Sequence, residues 1–475
     1  MPGHRTSGGT GAPDLPDLPP GFRFGAATAA YQIEGAHDRD GRGPSIWDTF
    51  SHTPGRTLGG ATGDTACDHY HRHREDVALL RGLGVDTYRL SLSWPRLLPR
   101  GTGPANPAGL DFYDRLLDDL LAAGIDPAVT LYHWDLPQAL EDRGGWRVRE
   151  TAEAFASYAA LAAGRYGDRV ERWITLNEPY CSAFVGYAEG RHAPGAREGR
   201  GALAAAHHLL VGHGLAVREL RAAGAREVGI ALNLDRIHAA SGSPEDEAAR
   251  RRAEVLHNEV WTEPLLAGRY PAQEAETWGG LADGPWRRPG DLAVIGAPLD
   301  FLGVNFYRPV TVAAAPHRAA DPADRTAVDV GVAELDPYGT PHTTMGWPVV
   351  PGALTELLVD LHARHPQLPP VWITENGAAF ADEVAPDGSV HDPARIAYLR
   401  DHLAAVADAV ALGVDVRGAY VWSLLDNFEW ARGYDQRFGL VRVDYDTLNR
   451  TPKDSYHWYR GLITAHRART EEAAR

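Results

Sequence analysis

Two glutamates occupy positions from which a carboxyl could do chemistry. Glu178 lies in Thr175-Leu176-Asn177-Glu178-Pro179, and Glu375 in Ile373-Thr374-Glu375-Asn376-Gly377. Each follows an apolar, β-branched run that reads as the C-terminal end of a buried strand. Two carboxyls delivered by distant strands into one cleft can act as acid and nucleophile at an acetal carbon. They could equally be ion-pair partners, so the residues around them must decide.

Further polar and aromatic residues fall at or just past strand ends: Gln32, Arg89, His133, Asn177, Asn305, Tyr307, Trp422, Glu429 and Trp430. A parallel sheet buries both faces of its strands, so a polar group there needs a partner. One such residue would be structural noise, but a set spread over most strand ends converges on one cavity. Carboxylates, amides, an imidazole and indoles together suit a neutral, hydroxyl-rich ligand. The chain has 13 Trp, of which Trp94, Trp173 and Trp372 read as core.

The elements that must position this set alternate along the chain. Strands are expected at 22–27, 87–91, 127–131, 172–176, 229–233, 301–304, 371–374 and 418–422. Amphipathic helices are expected at 111–123, 152–165, 203–223, 352–365 and 393–412. Eight βα repeats with no glycine-rich dinucleotide fingerprint predict a single α/β domain, a closed (β/α)8 TIM barrel. Long irregular insertions at 32–65 and 306–347 follow strands and so belong on the C-terminal face of the barrel. Residues 321–329 read as a solvent-facing excursion. Residues 1–20 read as a flexible leader, 21–465 as the catalytic domain and 466–475 as a tail.

Composition narrows the function classes. The 475 residues carry a formal charge of -16 and no basic patch, which argues against a nucleic-acid partner. Lys453 is the only lysine. No apolar stretch is long enough to span a bilayer, and the first 20 residues lack a signal-peptide core. A cytoplasmic enzyme without a membrane partner is expected. Cys67 and Cys181 stand alone, with neither metal-type spacing nor a disulfide framework. His69, His71 and His73 lead into a helix expected at 76–83, where residues two apart do not share a face. His207, His208 and His213 lack a zincin spacing. No metal and no cofactor is expected.

The chain resembles the family 1 glycoside hydrolases, the group that includes bacterial and plant β-glucosidases. The resemblance runs from Phe22 to about Tyr459. It rests on FRFGAATAAYQIEG at 22–35, YRLSLSWPR at 88–96 and HWDLP at 133–137, with the two glutamate segments and WSLLDNFEW at 422–430. It implies that Glu375 is the nucleophile and Glu178 the general acid/base of a retaining double displacement. Arg89, Asn305 and Tyr307 would support them. Gln32, His133, Trp134, Asn177, Trp347, Trp422, Glu429, Trp430 and Phe438 would bind the substrate. The family often has a cis peptide between Trp422 and Ser423. Tyr180 stands where tryptophan is more usual, and Phe306 where tyrosine is common.

The resemblance further implies a small β-glucoside or cello-oligosaccharide as substrate, with β-galactoside and β-fucoside cleavage as side activities. Members that take 6-phosphorylated sugars depart from the Glu429-Trp430 pair, and a carboxylate beside a phosphate is repulsive. The myrosinase-like branch lacks the glutamate that Glu178 supplies. A β-galactosidase, a transglycosylase and a non-catalytic sugar-binding barrel are the competing readings. The sequence leaves open whether the protein forms a homo-oligomer.

Overall fold

Each of the eight expected strands forms, and nearly every residue in them is buried, as a barrel wall between core and helices requires. The structure, a computed structural model, describes residues 16–336 and 339–474. The barrel strands are β1 (Arg23–Ala27), β2 (Thr87–Ser91), β3 (Asp126–Tyr132), β4 (Arg172–Asn177), β5 (Glu227–Asn233), β6 (Phe301–Asn305), β7 (Val371–Asn376) and β8 (Val416–Trp422). Every adjacent pair is parallel, and β1 bonds to both β2 and β8, which closes the sheet.

Large and small residues alternate inside the barrel. Phe301, Trp372, Tyr420 and Trp422 fill it beside Ala27, Ala128, Ile174 and Ala231. Room for these rings comes from glycines on neighbouring strands. A Cβ at Gly25 would lie 2.7 Å from Tyr420 Cε1 and 2.9 Å from the Thr87 carbonyl. The Arg172 guanidinium sits 3.8 Å from the Trp372 ring centre and pairs with Glu227 at 2.6 Å.

The helices form an outer layer whose apolar faces meet the barrel. The five expected ones are Pro107–Ala122, Arg149–Tyr166, Arg200–Ala222, Gly352–Arg364 and Pro393–Ala411. Their Leu116, Phe155, Leu209, Leu358 and Leu403 share one continuous core with the outward faces of the strands.

Several expectations need correction. The 306–347 insertion is not irregular throughout: Pro309–Ala314 and Val332–Leu335 join Arg236–Ala239 in a three-stranded sheet. Arg236–Ala239 and Val332–Leu335 are short and half-exposed, so no apolar run announces them, although Pro309–Ala314 is apolar and largely buried. Residues 321–329 are only partly a solvent-facing excursion. Ala327 is buried, and the Asp329 carboxylate accepts from the Arg318 and Ala319 amides. The helix expected at 76–83 begins earlier and spans His69–Leu83. Its histidines diverge: His69 pairs with Asp76, His71 with Asp68, and His73 lies near the Tyr70 carbonyl.

At the ends, residues 1–15 of the segment read as a leader lie outside the described residues. Leu18 is buried, and Arg469 donates to the carbonyls of Pro16 and Leu18. The segment read as a tail from 466 is instead helical up to Ala473, within the helix Asp454–Ala473. Among the described residues no helix is long and apolar enough to cross a membrane.

Candidate active site

The C-terminal ends of the strands carry one connected polar network. Glu375 lies near the end of β7, and Glu178 follows β4, its amide still bonded to Ala231 of β5 at 2.9 Å. Arg89 on β2 is the hub. Its guanidinium donates to Glu375 Oε1 (2.6 Å), to the Thr374 carbonyl (2.9 Å), to Asn177 Oδ1 (2.6 Å) and to Thr130 Oγ1 (3.2 Å). Tyr307 donates to the other oxygen of Glu375 at 2.6 Å.

Glu178 is held differently. Asn305 Nδ2 donates to its Oε1 at 2.7 Å and also to Asn177 Oδ1 at 2.9 Å. The Cys181 thiol donates to Glu178 Oε2 at 3.2 Å. No cation pairs with Glu178 among the described residues, whereas Glu375 has Arg89.

That difference separates the two carboxyls electrostatically. Burial, and then the neighbouring charge of Glu375, push the Glu178 pKa up to about 8. Burial raises Glu375 too, but Arg89 and the Tyr307 hydroxyl pull against that rise. An acid that keeps its proton at neutral pH beside a carboxylate stabilised in its charged form can protonate one atom while attacking another. A third carboxyl, Glu429, is pushed up to about 8 by burial and by the charges of Glu375 and Glu178.

The remaining expected residues line the same place. Asn177 Oδ1 accepts from Arg89 and Asn305, so its amide nitrogen faces His133 Nε2 at 3.1 Å. His133 therefore carries its proton on Nδ1, and burial beside Arg89 holds its pKa well below the usual value. Its ring lies nearly parallel to those of Trp422 and Trp430. Gln32 donates to Asn427 Oδ1 and the Phe428 carbonyl, both at 2.9 Å. Tyr307, Trp347 and Phe438 form an aromatic group with ring centres 5.2 to 6.2 Å apart. The Trp422-Ser423 peptide is cis.

Three of these residues adopt left-handed backbone: Trp134 (φ 76°), Glu178 (φ 46°) and Trp430 (φ 50°). Such positions cost about 1–3 kcal/mol each for side-chain-bearing residues and persist only where packing enforces them. Here the Trp134 indole donates to the Asn177 carbonyl at 2.9 Å, and Trp430 packs on Trp47 and Trp134.

The sequence profile described as Glycosyl hydrolase family 1 matches residues 16–468. The chain belongs to that family. It is 50% identical to a thermostable beta-glucosidase B of Thermobispora bispora over 96% of this chain and 92% of that one. It is 48% identical to a bifunctional beta-D-glucosidase/beta-D-fucosidase of Bifidobacterium breve, over 95% and 99%. The fold superposes with a TM-score of 0.91 on the psychrophilic beta-glucosidase from Micrococcus antarcticus, at 48% identity over 95% and 98% of the two chains. For the family 1 b-glucosidase from Thermotoga maritima in complex with isofagomine lactam the TM-score is 0.90, at 44% identity over 96% and 100%.

Within this family 1 site, sequence reasoning missed the supporting residues. Thr130 holds Arg89, Thr374 Oγ1 donates to Asn305 at 2.6 Å, and Asn427 holds Gln32. Metal-type spacing and disulfide pairing do not reveal the role of Cys181. Its spacing of three from Glu178 at the start of a helical segment, Cys181–Ala188, was the available signal.

Proposed function

We propose that this protein is a cytoplasmic, retaining β-glucosidase whose barrel is the catalytic domain, with Glu375 as nucleophile and Glu178 as acid/base. The observation that carries the assignment is the asymmetry of the pair. Arg89 and Tyr307 aim and charge Glu375, while Glu178 has amide and thiol donors and no cation among the described residues. A Glu375 oxygen attacks the anomeric carbon as the glycosidic bond breaks, and Glu178 gives its proton to the departing oxygen. With Glu375 neutralised as an ester, the charge that raised Glu178 is gone and its pKa falls. Glu178 then takes a proton from water, whose oxygen attacks the anomeric carbon and frees Glu375.

Sugar recognition rests on polar groups that the protein leaves unpaired. Among the described residues Gln32 Oε1 and His133 Nδ1 are buried without a partner. Buried groups of this kind call for a ligand's hydroxyls. The Glu429 carboxyl argues for an unphosphorylated sugar. Terminal non-reducing β-glucosyl residues of short cello-oligosaccharides and of aryl or alkyl glucosides are the proposed substrates, with β-galactosides and β-fucosides as side substrates. Two free cysteines accord with a reducing compartment.

Initial rates on a panel of p-nitrophenyl glycosides test the reading. The β-glucoside is expected to react fastest and Glu375→Gly to abolish its release. Faster release from β-galactosides would reassign the sugar. Silence of the folded wild type on every β-glycoside would sink the proposal.

A further inference from the structure

The histidines at 69, 71 and 73 diverge, and convergent donors lie instead in the loop segment after β1. His37, His52 and Asp64 each offer one ligand atom, and these atoms lie within 4.8 Å of one another. His52 Nε2 is 3.1 Å from Asp64 Oδ2, and His37 Nδ1 is 3.8 Å from Asp64 Oδ1. The side chains are 31 to 47% exposed, so an ion could reach them.

Two details bear on what the cluster can hold. His52 Nδ1 lies 2.6 Å from the Asp48 carbonyl, which can only accept, so Nδ1 carries a proton. In the neutral ring Nε2 is then a lone pair facing a carboxylate oxygen, an arrangement satisfied by a cation between them, either a proton or a metal ion. A ring N–H bonded to a backbone carbonyl is also how metal-ligating histidines are usually oriented. In addition, Asp64 Oδ1 is a buried oxygen with no hydrogen-bond partner among the described residues.

We propose that His37, His52 and Asp64 form a binding site for a divalent, imidazole-preferring cation, Zn2+ being the best match. Tetrahedral zinc with ligand bonds of about 2.0–2.2 Å places its ligand atoms about 3.3 Å apart, so the three side chains, whose ligand atoms lie within 4.8 Å of one another, would draw together slightly around the ion. Two imidazoles and one carboxylate favour Zn2+, Ni2+ or Cu2+ over Mg2+ and Ca2+, which take oxygen ligands. A water would complete the coordination. The ion would clip residue 37 to residue 64 and close the loop that carries Trp47, a ring packed on Trp430 at 4.6 Å. Its role is structural.

The test is calorimetric titration of chelator-treated, full-length protein with zinc chloride, alongside thermal melts. Wild type is expected to bind one zinc per chain and to melt higher with zinc, but not with magnesium or calcium. His37→Ala and Asp64→Asn are expected to weaken zinc by more than about tenfold, since even outer-shell changes cost that much. His71→Ala, which removes an exposed histidine elsewhere, is expected to bind as wild type does. Far-ultraviolet circular dichroism checks that each variant is folded. No zinc binding by wild type, or binding left intact in both ligand variants, would overturn the site and leave His52 an imidazolium paired with Asp64.

Discussion

At the residue scale, the division of labour between the two glutamates depends on single hydrogen bonds. Tyr307→Phe removes the donor to Glu375 Oε2 while keeping the ring that packs on Trp347. A preorganised donor to a reacting charge is worth about 10²-fold in rate. Turnover is expected to fall by about that factor, and the acid limb of the pH profile to move upward as Glu375 loses support for its charged form. Cys181→Ala acts on the other carboxyl. The thiol stabilises charged Glu178, so its loss raises a pKa already at about 8. The basic limb of kcat/KM, where Glu178 loses its proton, should move to higher pH while the acid limb stays. A basic limb that does not move would show the contact to be idle. Glu178 and Glu375 were legible because each sits in a strand-end motif. Cys181, Thr130 and Thr374 were not, because their roles lie in a partner across space that no local pattern encodes.

At the element scale, the barrel strands were legible because β-branched and apolar runs bounded by turns survive burial on both faces. The boundaries drifted by one or two residues where a polar end such as Asp126 or Glu227 continues the ladder. The rim sheet was hidden because Arg236–Ala239 and Val332–Leu335 have four residues each and carry exposed or half-exposed charges. What sequence pattern also conceals is the matching of glycine to aromatic ring across strands. Gly25 on β1 faces Tyr420 on β8, whose hydroxyl lies 3.1 Å from Thr87 Oγ1 and 3.3 Å from Arg172. That ring is tied at its far end and has little room to yield. Gly25→Ala should therefore destabilise the barrel by about 1–3 kcal/mol, the usual cost of overpacking a filled core. The denaturant midpoint measures it, and an unchanged midpoint would mean that the ring can shift.

At the scale of the whole molecule, the C-terminal segment locks the barrel from outside, through the only lysine in the sequence. Lys453 is fully buried and pairs with Asp426 at 2.7 Å and with Asp382. Arg437 donates to Asp426 at 2.6 Å, and Arg395 joins Asp382 to Asp392. One ionic cluster thus ties the stretches after β7 and β8 to the start of the last helix. Asp426 immediately precedes Asn427, the residue that holds Gln32, so the cluster also braces the sugar side of the cavity. Lys453→Met leaves two buried carboxylates short of a cation, a change that costs about 3–5 kcal/mol. The pH dependence follows from Asp426. Burial alone would raise its pKa, but Lys453 and Arg437 hold it below the usual carboxylate value. Stability from this group is therefore present above the unfolded pKa and is lost as pH falls through the folded one. The variant's deficit should be largest near neutral pH and shrink on acidification, where Asp426 is protonated in either protein. Denaturation curves of wild type and Lys453→Met at neutral and acidic pH compare the two. A deficit independent of pH would assign the loss to packing of the lysine stem instead of its charge.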